Sequence, residues 1–273
     1  MFLFLKKNIS TITSLFPVVI FFGILMPDAL KSEETSYHTF FKKLDSIDYT
    51  YAFQKNTNEC LSRDIEELHA VFSPAADKMY RSFNLKKPAS FHITIAQNER
   101  IFQQLTGKNG NTASVYDSNL DVIYFQNPMN LKKSLALDRI VNHELCHISI
   151  SSARKNQGGE LKRWLEESFC EEVASPGMHR SFKVNTTLRK YKTLNEFVNY
   201  LNENLLNHAD RKERFMAYRL GGLWGRHLIE EFGREKILKW IIEPMTAGTM
   251  KEMEREYKIF YEEIINNPLY FSF

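Results

Sequence analysis

The sequence predicts an α+β fold: a small mixed N-terminal subdomain with a β-hairpin and sheet, then a mostly helical C-terminal subdomain. Three observations predict it. Short apolar runs bounded by turn residues fall between residues 91 and 125, the pattern expected of strands. Apolar residues recur at three-to-four spacing from Lys132 onward, the pattern of packed helices. Hydrophobic residues make up 43% of the 273, with 21 Phe and 12 Tyr, enough to core one large domain or two lobes sharing a cleft.

Taken in order, the chain opens with Lys6 and Lys7, followed by a twelve-residue apolar run, Leu15 to Met26, that contains Pro17. This run is short for a membrane span and suits the core of a signal peptide. Export is therefore expected, to a periplasmic or extracellular space, with cleavage near Ala29 or Ser32; an uncleaved membrane anchor is the rival. The resulting division is a targeting segment at 1–29, a helical and irregular lead-in at 33–87, and the main domain at 88–273. In the lead-in, 33–57 reads as irregular and polar. Cys60 to Phe83 reads as a helix through Ile65, Leu68, Val71, Phe72, Ala75, Met79 and Phe83, with Pro74 a point of kinking or splitting.

Phe91 to Ala96 alternates as a strand. Glu99 to Leu105 is a short helix stopped by Gly107-Lys108-Asn109-Gly110-Asn111. Ala113–Tyr116 and Asp121–Phe125 read as a hairpin across Asp117-Ser118-Asn119. Leu137, Ile140, Val141, Leu145 and Ile148 line one helix face up to Ser151, and further helices are expected at 159–175, 193–207, 212–232, 234–242 and 250–266. The net charge of +3 is spread among mixed signs, with no basic stripe, which argues against a nucleic-acid partner. Three cysteines leave at least one without an internal partner. Cys146 and Cys170 are either a disulfide pinning two helices or two small buried apolar residues.

The helix through Val141 carries His143-Glu144-Leu145-Cys146-His147. Residues i and i+4 share a helix face, so both imidazoles can converge on one zinc ion, while Glu144 can act as general base toward water. Two surface histidines on an ordinary helix are the plain alternative, and the strongly apolar character of the helix counts against it. A catalytic zinc usually has a third protein ligand. Glu167 and Glu171, one turn apart in Trp164-Leu165-Glu166-Glu167-Ser168-Phe169-Cys170-Glu171-Glu172, offer one ligand and one carboxylate to orient a ligand histidine.

These motifs resemble the gluzincin zinc metallopeptidases, which include the thermolysin and aminopeptidase N types. Trp164-Leu165-Glu166-Glu167 is similar to that group's Trp-Leu-x-Glu-Gly, with Ser168 in place of the usual Gly. The resemblance implies Glu167 as the zinc ligand, nineteen residues after His147, and Glu171 as the supporting carboxylate. Glu166, after eighteen, would fit the aminopeptidase spacing instead. Tyr218-Arg219-Leu220-Gly221, then Leu228 and Gly233, is similar to the stretch whose Tyr stabilises the tetrahedral intermediate in aminopeptidase-like members. The likeness spans roughly 88–242. No Gly-x-Met-Glu-Asn run precedes His143, which favours an endopeptidase, or an unusual specificity, toward peptide or protein substrates. It also implies substrate pairing along the strand Asp121–Phe125.

Tyr218 has a second, local argument. Gly221, Gly222 and Gly225 lie at i+3, i+4 and i+7 from it, on one helix face. Each helical Gly costs about 1 kcal/mol relative to Ala, so close approach to another element is the reason to expect three together. Tyr218 is then either an oxyanion donor or a residue packed beside that contact, and His227 should point elsewhere. The rival functions are an exported zinc-holding protein without turnover, against which the intact Glu144 counts, and a membrane-anchored interaction protein in which the motif is accidental.

Overall fold

A computed structural model of the chain describes residues 37–54, 61–83, 90–108, 112–127, 137–154, 162–176, 184–206 and 210–267. The expected targeting segment, with its cleavage points near Ala29 and Ser32, lies outside the described residues, as do Cys60, His179 and His208. Among the described residues no helix is long and apolar enough to cross a membrane.

Residues 37–54, expected to be irregular, instead form a hairpin, β1 (Tyr37–Leu44) and β2 (Ile47–Gln54). The physical reason lies in Ile47, Tyr49 and Tyr51, which alternate along β2 and are buried. Asp45, at φ 53°, takes the left-handed conformation that closes the turn, which Asp tolerates better than most residues. Helix α1 (Leu61–Phe83) then carries the chain to β3 (Phe91–Ala96), which pairs parallel with β2. Pro74 sits inside α1 without dividing it.

Helix α2 (Glu99–Thr106) is capped by the Asn98 side chain and ends at the left-handed Gly107. The second hairpin is β4 (Ser114–Asp117) with β5 (Val122–Gln126). The sheet order is β1-β2-β3-β5-β4, with β2, β3 and β5 parallel and both outer strands antiparallel. β5 is thus enclosed between β3 and β4, so the expected substrate pairing along Asp121–Phe125 is corrected: that strand has no free edge. The outer strand of the hairpin is β4. One sheet face packs on α1 and the next helix, α3 (Leu137–Arg154); Ala52 and Ala96 on the other face meet Ile101 and Phe102 of α2.

The remaining described elements are helical: α4 (Arg163–Ala174), the short α5 (Asn185–Leu188), α6 (Leu194–Leu201), α7 (Arg211–Phe232), α8 (Arg234–Ile242) and α9 (Ala247–Asn266). α6 begins with a capping box of Thr193 and Glu196 and runs on into a wider π turn at Asn202–Leu206. α4 is the centre of this half, packed against both α3 and α7. The glycines of α7 make that packing possible. A Cβ on Gly225 would lie 2.1 Å from the Ser168 carbonyl oxygen, and one on Gly221 would lie 3.2 Å from Ser168 Oγ. Ser168 donates its own hydroxyl to Trp164 O at 2.7 Å, so it adds no unsatisfied polar group at the contact. Behind α7, Trp224, Phe197, Tyr257 and Phe260 close an aromatic cluster with α6 and α9. The fold is therefore mixed α+β and mostly helical, with one small five-stranded sheet.

Candidate metal centre

Two helices carry the site. α3 presents His143, Glu144 and His147, and α4 presents four glutamates, Glu166, Glu167, Glu171 and Glu172, all buried. Burying a carboxylate costs several kcal/mol unless it is paired, so each one invites the question of what faces it. Glu167 faces the histidines. Its Oε2 lies 3.3 Å from His143 Nε2 and 3.6 Å from His147 Nε2, and the two Nε2 atoms are 3.1 Å apart. Donors held 2.0–2.1 Å from one tetrahedral ion stand roughly 3.3–3.4 Å from each other. The three distances bracket that value. Glu167 Oε2 is moreover buried with no hydrogen-bond partner. The group His143, His147 and Glu167 can hold a metal ion.

The opposite ring nitrogens face different carboxylates. His147 Nδ1 is 2.6 Å from Glu166 Oε1, so Glu166 orients that ring from behind rather than joining the converging set. His143 Nδ1 lies 3.4 Å from Glu171 Oε1, off the line a hydrogen bond needs. Arg139 Nη2 in turn donates to both Glu171 oxygens, at 2.7 and 3.0 Å. Burial would lower both imidazole pKa values, but the carboxylates outweigh it. Glu167 holds His143 above its ordinary value, and Glu167 with Glu166 holds His147 well above it. Burial likewise opposes ionisation of Glu167, and the two imidazoles overcome it and hold its pKa far below the carboxylate range. The set is a carboxylate and two imidazoles that a metal ion would displace protons from.

Comparison with family models and with curated proteins gives no match for this chain. The site therefore rests on its own geometry.

Glu144 is the fourth participant. It is 4% exposed, and burial raises its pKa against the pull of His143 and His147. Ser114 Oγ on β4 donates to Glu144 Oε1 at 2.5 Å, fixing the carboxylate from across the cleft. Sequence reasoning missed Ser114 and Arg139, since neither carries a local motif. Tyr218 on α7 is half-buried at the same cleft, its ring centroid 6.1 Å from that of His143. Burial, then the charges of Glu167, Glu171 and Glu144, push its phenol well up, so it remains an O–H donor at neutral pH. Two adjoining cavities border these residues: one of about 130 Å3 reached by His147, Glu167 and Tyr218, and one of about 310 Å3 reached by Glu171 and Tyr218.

The two open readings of the cysteines are decided for the disulfide. Cys146 and Cys170 are bridged across α3 and α4, with Cα atoms 5.5 Å apart. His227 turns away from the cleft and stacks on Trp224, ring centroids 5.6 Å apart.

Proposed function

We propose that the chain is a zinc-dependent peptidase of gluzincin type, an endopeptidase acting on peptide or protein substrates. The observation that carries this is the near-tetrahedral spacing of His143 Nε2, His147 Nε2 and Glu167 Oε2 with Glu144 beside them. Zinc rather than calcium or magnesium suits two imidazoles and one carboxylate, and bound there it would supply Lewis acidity toward water and toward the scissile carbonyl. Glu144, its pKa raised by burial, accepts a proton from the attacking water and returns it to the leaving amine. Ser114 holds the Glu144 carboxylate in place during both transfers. The Tyr218 hydroxyl donates to the developing oxyanion. Glu166 keeps the His147 imidazole oriented with Nε2 inward, and Glu171, anchored by Arg139, faces the back of the His143 ring.

Export fits this reading, because the Cys146–Cys170 bridge belongs to an oxidising compartment. The outer strand β4 offers the substrate backbone an edge beside Ser114. Glu144→Gln is the test, because it removes the base and leaves the three metal donors. Cleavage of a peptide library should fall by about 10²–10⁴-fold, with zinc still bound one to one. A variant that cleaves as well as the parent would end the proposal.

A further inference from the structure

The cleft is more basic than peptide hydrolysis requires. Lys108 follows α2, Arg163 opens α4 and Arg214 lies in the first turns of α7, yet all three line the 130 Å3 cavity beside Glu167 and Tyr218. Burial, and then Arg214 and Arg163, hold the Lys108 ammonium below its ordinary range, so three like charges share one small space. The acidic residues of that cavity are Glu144 and Glu167, the first held by Ser114 and the second facing two imidazoles. Arg214 also donates to Thr112 Oγ1 at 2.9 Å, which anchors it across the cleft mouth.

The adjoining 310 Å3 cavity has Arg139, Arg211, Arg214 and Arg219 on its wall against Glu144 and Glu171, with Arg139 paired to Glu171, so basic residues outnumber acidic ones there too. Arg219 is 8% exposed and lies 4.8 Å over the Phe215 ring; burial and the nearby Arg139 both disfavour its charge. Like charges gathered at this density in a partly desolvated cleft focus a positive potential on whatever enters. An anionic ligand group is what such a cluster stabilises.

We propose that the cleft selects anionic peptides, seating a substrate carboxylate among Lys108, Arg163 and Arg214; this rests on the peptidase reading above and names its substrate class. The carboxylate is either an Asp or Glu side chain or the free C-terminus of the peptide.

The experiment uses the full chain carrying Glu144→Gln, loaded with zinc, and fluorescein-labelled alanine-rich decapeptides. One series places a single Glu, or Gln, at each position with an amidated C-terminus; a second has no Glu and ends in a free acid or an amide. At one or more positions Glu should bind about 10- to 100-fold more tightly than Gln, a gain that shrinks with salt and is lost when Lys108→Ala or Arg163→Ala is added. A gain confined to the free-acid peptide assigns the carboxylate to the C-terminus. Equal binding of all peptides, no binding by any, or a gain that survives both substitutions overturns the inference. The two readings fail separately. Charge-selective binding by a protein whose Glu144 form cleaves nothing would remove the peptidase assignment alone. Cleavage indifferent to substrate charge would remove this inference alone.

Discussion

Two regions among the described residues put histidine among glutamates, and only one of them gathers donors that could hold a metal ion. On α9, Glu256 and Glu263 lie on opposite sides of His227: Oε2 of Glu256 is 3.8 Å from Nε2, and Oε2 of Glu263 is 3.6 Å from Nδ1. Glu256 is itself held by Arg255, and the imidazole stacks on the Trp224 indole at an interplanar angle of 14°. Every donor there diverges. On α3 and α4 the same residue types converge, because His143 and His147 are one turn apart and Glu167 enters between them. Proximity of imidazole to carboxylate is common in proteins; three donors aimed at one point is the property that can select an ion, and here Glu166 also holds His147 from behind.

The largest expected effect breaks the convergence. Glu167→Ala should abolish stoichiometric zinc, measured by elemental analysis of dialysed protein. Retention of one zinc by that variant would mean that the third donor is elsewhere. Next, Tyr218→Phe removes only a hydroxyl and should lower kcat by about 10²–10³-fold, with zinc content and Tm nearly unchanged; full activity would reduce Tyr218 to packing. Glu166→Ala removes the support behind His147 and should weaken zinc about 10- to 100-fold while keeping one site, as competition with a chelator would report. If Glu166→Ala loses zinc and Glu167→Ala keeps it, the two glutamates have exchanged roles. Smallest is His227→Gln, for which zinc stoichiometry and cleavage rate should not move. A loss of metal there would erase the contrast between the two regions.

His143 and His147 were legible because helix periodicity puts them on one face, and Glu144 because the motif sets it beside the first. Glu167 was legible through its resemblance to a known phrase, and the glycines of α7 through their cost in a helix. Gly225 then meets the Ser168 carbonyl, where no side chain fits. The role of Glu166 was not legible, because whether it faces a ring's front or back depends on how α4 is rotated against α3. Ser114 and Arg139 were hidden for a similar reason: they reach Glu144 and Glu171 across 30 and 32 positions of sequence. The first hairpin was a misreading rather than a hidden signal. Ile47, Tyr49, Tyr51 and Phe53 alternate plainly, but the charged residues around them gave the segment a polar look. The disulfide was half legible, since spacing allows the bridge but only the packing of α3 on α4 brings the two cysteines together.

That bridge ties together the two helices that carry the candidate metal donors. Cys146 stands between the two histidines in sequence, and Cys170 stands between Glu167 and Glu171. The bridge sits behind the metal-facing side of the histidines, with Cys170 Sγ 3.9 Å from His147 Nδ1, the ring nitrogen that faces Glu166. A covalent tie between α3 and α4 restrains their relative rotation, on which the meeting of Glu167 with the two imidazoles depends. The three donors are thereby held near one another by a bond as well as by packing.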